Sequence, residues 1–348
     1  MGLIARARLL SRPGPSRRGG LLRRMQTLIQ TEQRTPPLSA PQDSSAIIAP
    51  AEELLYRLSQ ISEGIGAPVL LFRLLKEHLK LQAAALVLLD GSRQLFVPWC
   101  TTGLDTTTRH RLLLPPGAND PFNRAAAGQI VLVDKEELQG FRELFSSREF
   151  ALIQRLVLVP FVHLHRLLGL LLIVRMAPEP DPKLLSLLQQ AAQQASPLLH
   201  RLAGRSAEQL PAESGLSVPE LVQNALQTAK QKSHPLVLMR LDLDPILRRA
   251  ASRFPELETF RLQEELAILC RAMFQVIGQV RVIQKRSLLI LVHGMKEADV
   301  ELLRRQLLAV LADHLRELLA TESLELEVES RVIVDEPEAA LRFIGESP

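Results

Sequence analysis

Two aspartates follow a short apolar run in the second half of the chain. Asp242 and Asp244 come directly after residues 236–241, an apolar run of strand length. Because side chains alternate along a strand, both carboxylates project to one side of its end. Carboxylate oxygens beside a phosphate are the ligands that Mg²⁺ prefers. The pair predicts a residual metal or nucleotide site, and the alternative interpretation is a solvated strand end.

A polar turn downstream is the natural neighbour of these aspartates. Residues 280–292 are predicted to form two short strands that meet at residues 284–287. Lys285 and Arg286 in this turn could hold a phosphate or an acidic surface of a partner protein. An exposed turn also favours polar residues for solvation alone. We therefore group Lys285 and Arg286 with the two aspartates as candidate residues for nucleotide binding.

This layout resembles the GGDEF (diguanylate cyclase) domain, in which an acidic strand end faces a Gly-Gly-Asp/Glu-Glu-Phe hairpin. Aligning the apolar residues 288–291 with the strand that follows that signature places residues 284–288 (QKRSL) at the signature itself. The two glycines that let the backbone approach a phosphate are absent. The metal-binding and catalytic acid of the family is replaced by Ser287.

Other family positions in this half are only partly retained. The resemblance implies a first metal ligand at Asp242, but the guanine-binding asparagine falls on Ala250. The product-inhibition motif Arg-x-x-Asp aligns with residues 275–278 and is missing. We therefore expect a GGDEF-like scaffold without cyclase activity, and hence no catalytic residues and no bound metal.

The order of elements after residue 216 matches this resemblance. Ser217, with Glu220 three residues later, has the spacing of a capping box and opens a helix that ends near Lys230. The following pattern of strand, two helices, two strands, helix and strand is the βααββαβ plan of a ferredoxin-like palm. It extends from residue 217 to residue 348, with a short helix after the last strand.

The first half resembles a GAF domain over residues 51–203. Its predicted elements are helices at 52–61 and 67–81, strands at 83–89 and 94–99, a helix at 121–128, a strand at 130–133, an amphipathic stretch at 136–150, strands at 156–162 and 168–175, and an exit helix at 182–201. GAF domains are sensory modules that can hold a small ligand between the sheet and the helices, and many hold nothing and simply dimerise. The fold class is therefore α+β: a GAF-like antiparallel sheet with helices, then a GGDEF-like palm, joined by a helix.

Polar residues near the helix at 121–128 are the candidates for a GAF ligand site. The resemblance places Asn119, Asp120 and Asn123 in the loop and helix that cover the family's ligand pocket, although Asp120 before a proline also suits an ordinary helix start. His163 and His165 can be interpreted as haem or metal ligands on one strand face, or as an ordinary pair of hairpin histidines. These residues do not single out one cofactor, so the sequence leaves the cofactor unknown.

The exit helix carries an apolar stripe at helical spacing. Its members are Leu184, Leu187, Leu188, Ala191, Ala195, Leu198 and Leu199. The stripe can face the core of the domain or form a homodimer through residues 182–201, as is common in both resembled families. We expect the homodimer, and we expect Pro197 to end or kink the helix. Residues 204–216 are polar and contain Gly, Pro and Ser, which is typical of a linker between domains.

The N-terminal arm, residues 1–50, has a composition unlike the rest of the chain. It is rich in Arg, Pro, Ser and Gly, and its only acidic residues are Glu32 and Asp43. It is therefore predicted to be disordered. Its arginines account for the net charge of +4. Three explanations remain open: a basic arm for anionic lipid or nucleic acid, an organellar targeting segment, or a misplaced start with Met25 as the true initiator.

The remaining composition excludes several classes of protein. No apolar run approaches the ~20 residues that span a bilayer. Cys100 and Cys270 lie far apart within predicted elements, which fits buried thiols in a reducing cytoplasm. Aromatic residues make up only 4% of the chain, so stacking of nucleic-acid bases is not expected.

These observations predict a non-catalytic cytoplasmic signalling protein. A GAF-like sensor would act through the exit helix on a degenerate GGDEF-like domain, which contacts a protein partner of a signalling pathway or weakly binds a small molecule or nucleotide. The alternatives are an active or residual diguanylate cyclase and a receptor for a cyclic dinucleotide. The ligand of the GAF-like half and the pathway are not determined by the sequence.

Overall fold

The structure is a computed structural model that describes residues 48–91, 93–208, 216–283, 286–295, 297–319, 328–334 and 337–345. Residues 48–348 belong to one compact unit. This unit contains two antiparallel sheets with helices packed against them, which confirms the predicted α+β class. The predictions for residues 1–47, including the role of Met25, lie outside the described residues.

The first half is built on a five-stranded sheet. Its elements are α1 (Ile48–Ser59), α2 (Ala67–Leu79), β1 (Leu81–Asp90), β2 (Leu95–Thr102), α3 (Thr106–Arg111), α4 (Asp120–Ala126), β3 (Val131–Val133), a 3-10 helix (Glu137–Leu144), α5 (Ser147–Leu152), β4 (Leu156–His163), β5 (Arg166–Met176) and α6 (Pro182–Glu208). The strand order is β2-β1-β5-β4-β3, and all pairs are antiparallel. The predicted elements occur in this order, with β2 extending to Thr102 beyond its predicted end at residue 99, and α3 is an additional short helix.

This sheet is covered on both faces. Helices α1, α2 and α6 pack on one face. The short helices and loops between β2 and β4 cover the other face, which is filled by Phe96, Phe122, Phe141 and Phe145. Because both faces are buried, β1 has a nearly continuous apolar sequence instead of alternating apolar and polar residues.

Helix α6 continues further than the sequence indicates. Pro197 lies inside the helix, so the prediction that it ends the helix is wrong. Pro197 is an exposed residue of the helix, and so is Gln193, whose carbonyl loses its hydrogen-bond donor to the proline. The first residues of the predicted linker, up to Glu208, are therefore helical, and residues 209–215 lie outside the described part of the chain.

The apolar stripe of α6 is buried within the chain. Leu184, Leu188, Ala191, Ala195 and Leu199 belong to the core against the sheet and α1. The Nε2 atom of Gln194 also donates to the carbonyl of Leu55 in α1 at 2.9 Å. Leu187 and Leu198 are only half-buried, so most but not all of the predicted stripe serves the core of this half.

The second half is built on a four-stranded sheet. Its elements are α7 (Val218–Gln231), β6 (Leu236–Asp242), α8 (Asp244–Arg253), α9 (Thr259–Phe274), β7 (Gly278–Ile283), β8 (Ser287–His293), α10 (Glu297–Leu319), β9 (Val328–Ile333) and α11 (Pro337–Phe343). The strand order β7-β8-β6-β9 places the third strand between the first two, which is the ferredoxin-like arrangement predicted for a palm. Helix α7 starts with the predicted capping box of Ser217 and Glu220.

Two further expectations concern the whole chain. Among the described residues, none of the helices combines the length and the apolar character required to cross a membrane. Cys100 and Cys270 are free and buried, as predicted. Burial raises the pKa of Cys270 to about 12 and also raises that of Cys100, so both remain protonated thiols at neutral pH.

Candidate functional sites

The acidic strand end lies at the junction of β6, β8 and α8. Asp242 and Ser287 are direct partners in the antiparallel register of β6 and β8. The Oδ1 atom of Asp242 accepts a hydrogen bond from the backbone N–H of Asp244 at 2.9 Å. Asp244 begins α8, where its carboxylate is also favoured by the helix dipole. The structure therefore brings the two aspartates and Ser287 together.

Cationic side chains neutralise Asp244. Its Oδ2 atom lies 2.6 Å from Nη2 of Arg248, and its Oδ1 atom lies 3.2 Å from Nη1 of Arg286. The backbone of Arg286 also accepts a hydrogen bond from the N–H of Leu243. Of the predicted residues in this turn, Arg286 thus joins the aspartates, whereas Lys285 lies outside the described residues.

This arrangement can do little metal chemistry. Ser287 is only 5% exposed and supplies a hydroxyl instead of a carboxylate. A group of three or more His, Cys, Asp or Glu side chains that could hold a metal ion does not occur among the residues that the structure describes. An Mg²⁺ ion needs about six oxygen ligands, of which the protein usually supplies one or two carboxylates beside phosphate. Here the carboxylate of Asp242 accepts a backbone hydrogen bond from Asp244, and the carboxylate of Asp244 is bound by arginines.

The candidate ligand residues of the first half lie at the start of α4. Asn119 caps this helix by accepting from the N–H of Phe122 at 2.9 Å, and its Nδ2 donates to the carbonyl of Gly140. Asp120 pairs with Arg124 at 3.3 Å, and Asn123 is exposed. Such contacts are typical of an ordinary helix start and of an exposed helix surface. A ligand role for the three residues stays a prediction.

The sheet face beneath α4 is closed by aromatic packing. The rings of Phe96 and Phe122 meet edge to face with centroids 5.3 Å apart. Phe141 and Phe145 are also almost fully buried in the same cluster. A ligand on this face would have to displace phenylalanine side chains.

The histidines of the β4–β5 hairpin are arranged differently from the prediction. His163 ends β4, whereas His165 lies in the turn with φ 60° and is exposed, so they do not share a strand face. His163 instead contacts His200 of α6, with ring centroids 4.8 Å apart. The sequence gives no signal for this pair because the two histidines are far apart along the chain.

A seam between the two halves is the site that sequence reasoning missed. We define the seam as the contact of α2, β1, β2 and the turn between β1 and β2 with residues 254–265. The N–H of Thr101 donates to the carbonyl of Glu256 at 2.8 Å, and the N–H of Glu258 donates to the carbonyl of Trp99 at 2.9 Å. The loop between α8 and α9 therefore adds one short strand to the edge of the first sheet.

Side chains reinforce this backbone pairing. The Nζ atom of Lys76 lies 2.6 Å from Glu256, and the hydroxyl of Thr101 donates to Glu258 at 2.7 Å. Burial opposes ionisation of Glu256, but the hydrogen bond and the charge of Lys76 outweigh it, so the pKa of Glu256 is lowered.

A second charged group lies further along the seam. Arg261 is 5% exposed and bonds to Asp90 of β1 at 3.2 Å and to Glu264. Glu264 also pairs with Arg93 at 2.7 Å. The Nε and Nη2 atoms of Arg261 are buried without a hydrogen-bond partner. A small cavity beside Arg261 is lined by Leu88, Leu89, Asp90, Trp99, Leu202 and Glu265 as well.

Buried charge is concentrated at this seam. The charged side chains that are buried among the described residues are Asp90, Glu256, Arg261 and Glu265, and all four lie there. A buried ion pair costs several kcal/mol of desolvation and is stable only in a well-defined geometry. The seam thus fixes how the two halves meet. The alternating glutamates Glu256 and Glu258 were the one feature of the sequence that could have indicated this contact.

The chain was compared with protein families, curated proteins and solved structures. The model of the family TP_0208_N, described as an uncharacterised protein N-terminal domain, matches residues 2–200. The search of curated proteins found no match.

Three solved structures illustrate the likenesses. The chain is similar to the GAF domain of an Acinetobacter phosphoenolpyruvate-protein phosphotransferase, with 13% identity, TM-score 0.38 and coverage of 46% of this chain and 96% of that one. It is similar to free methionine-R-sulfoxide reductase from Neisseria meningitidis, with 18% identity, TM-score 0.34 and coverage of 50% and 98%. It is also similar to PelD residues 156–455 from Pseudomonas aeruginosa, with 17% identity, TM-score 0.28 and coverage of 87% and 95%.

Proposed function

The chain belongs to the TP_0208_N family of N-terminal domains, and we propose that it is a non-catalytic cytoplasmic signalling protein. In this proposal the first half is a GAF-like sensor, and the second half is a degenerate GGDEF-like domain that acts by contact with a protein partner or by weak nucleotide binding. The two-sheet α+β architecture is compatible with both assignments.

The pairing of Ser287 with Asp242 carries the non-catalytic part of the proposal. The position that the GGDEF resemblance assigns to the catalytic acid is Ser287, a buried hydroxyl that pairs with Asp242 in the register of β6 and β8. Asp244 is already neutralised by Arg248 and Arg286. Two metal ions around a triphosphate would lack the carboxylates that gather them.

The seam and α6 are the routes by which the sensor half would act on the second half. The seam joins the two halves through backbone hydrogen bonds and buried charges, and Leu202 of α6 lines the cavity beside Arg261. A ligand or partner that shifts either element would change the pose of the second half. The proposed homodimer through residues 182–201 would use the exposed side of α6, because its apolar stripe is buried within the chain.

Incubation with GTP tests the proposal directly. The purified chain should form no cyclic dinucleotide from GTP with either Mg²⁺ or Mn²⁺, while an active diguanylate cyclase assayed in parallel does. The variant Asp242→Asn should behave like the wild type, because the aspartate has no catalytic task. Robust product from the wild type that disappears in Asp242→Asn would refute the proposal and establish a residual cyclase. Calorimetry with a cyclic dinucleotide separates the receptor alternative.

A further inference from the structure

Two half-buried imidazoles meet between the closing hairpin and α6. His163 is the last residue of β4, and His200 lies in the part of α6 that follows Pro197. Their ring centroids are 4.8 Å apart with the planes at 52°. The Nδ1 atom of His200 is buried and has no hydrogen-bond partner. Buried polar atoms are normally satisfied, so an orphaned nitrogen beside a second imidazole calls for an explanation.

The spacing of the rings fits coordination of one metal ion. Metal–nitrogen bonds of about 2.0–2.1 Å and ligand angles near 90–110° place two imidazole centroids about 4.5–5.2 Å apart. The observed separation lies within this interval. Imidazole is a preferred ligand of Zn²⁺, Cu²⁺ and Ni²⁺, and neutral histidine supplies the lone pair that such an ion needs.

We propose that His163 and His200 bind one divalent late transition-metal ion, with Zn²⁺ as the reference case. A third protein ligand does not join them among the described residues, so solvent would have to reach the pair to complete the coordination sphere. Arg166 is in register with His163 across the hairpin, and its positive charge opposes the ion. These features describe a site that responds to metal availability and does not hold a permanent structural ion.

The consequence of binding is a cross-link between β4 and α6. Such a link would fix the end of the helix that leads towards the second half. This regulatory role rests on the proposed sensor function, whereas the binding itself does not.

Calorimetry on the metal-free full-length chain tests the site with ZnCl₂. The wild type should bind one equivalent with saturation, and His163→Ala and His200→Ala should each lose that event. His165→Ala, which removes a neighbouring exposed imidazole, is the matched control and should still bind one equivalent of zinc. Arg166→Gln should bind more tightly, because a repelling charge is gone.

Folding and cyclase assays keep the result unambiguous. The thermal transition of each variant without metal shows whether it is folded, and ZnCl₂ should raise it only for the wild type, His165→Ala and Arg166→Gln. Where an alanine variant is unfolded, His163→Gln or His200→Gln replaces it. Zinc binding that survives in both site variants, or its absence from the wild type, overturns the site. Neither result bears on the GTP assay, so the two proposals fail separately.

Discussion

Arg286 has a backbone conformation that is unusual for a residue with a side chain. Its φ of 77° lies in the left-handed region, which glycine adopts without strain and other residues do not. Its side chain compensates in part by pairing with Asp244, and its carbonyl accepts from Leu243. Arg286 therefore combines a backbone conformation suited to glycine with a side chain that pairs with Asp244.

Gly103 is a residue whose backbone determines the edge of the first sheet. It has φ 63°, and a Cβ atom there would lie 1.8 Å from the carbonyl oxygen of Gln82. Gly103→Ala should therefore destabilise the chain by about 3 kcal/mol or more, through strain and a backbone clash. Chemical unfolding measures the loss.

Gly117 provides the matched control for this substitution. Its φ is 77°, but a Cβ atom would meet only the side chain of Asn123 at 3.6 Å. Gly117→Ala should cost only the conformational strain, about 1 kcal/mol. Equal losses for the two variants would show that the contact with Gln82 does not matter.

The seam is the feature that matters at the scale of elements. The loop between α8 and α9 pairs with β2, so the edge of the first sheet is covered where it would otherwise expose free backbone groups. The guanidinium of Arg73 also lies over the ring of Phe254, 5.4 Å from its centroid. Loop and strand therefore stabilise each other.

A double-mutant cycle on Lys76 and Glu256 measures this coupling. The side chain of Glu256 is 8% exposed and that of Lys76 is 32% exposed, so the pair is only partly screened. Lys76→Met and Glu256→Gln should show a coupling free energy of about 1–3 kcal/mol in chemical unfolding. The exposed pair of Arg57 and Glu53 is the control, with coupling near zero. Additive effects at the seam would contradict its role as a fixed junction.

At the scale of the whole molecule, the two halves share one apolar core. A continuous cluster runs from α1, α2 and α6 to the face of the second sheet that is covered by α8, α9 and α10. The buried charges lie beside this cluster at the seam. The orientation of the halves is therefore set by apolar packing together with ion pairs of fixed geometry.

Acid should weaken the seam. The pKa of Glu256 is lowered in the folded chain, so the stabilisation it provides is present above its unfolded value near 4.5 and is lost as the pH falls through the folded pKa. The free energy of unfolding should therefore fall below about pH 4.5 more steeply for the wild type than for Lys76→Met. Fluorescence of Trp99, the one tryptophan of the chain, reports the seam directly. Parallel pH profiles for the two proteins would exclude this linkage.

The sequence by itself determined the order of most elements and the cap at Ser217. These features depend on periodicity, capping and residue identity over a few neighbouring positions, and such local signals can be read directly. The length of α6 could not be predicted in this way. Whether Pro197 interrupts a helix depends on the surroundings of the carbonyl that loses its hydrogen-bond donor.

Only the tertiary structure decided where the two halves meet and which histidines form a pair. Lys76 and Glu256 are 180 residues apart, Thr101 and Glu258 are 157 apart, and His163 finds its partner on a different element. No local pattern specifies such contacts, because they arise when the apolar faces of separate elements pack and carry their polar side chains into one another's reach.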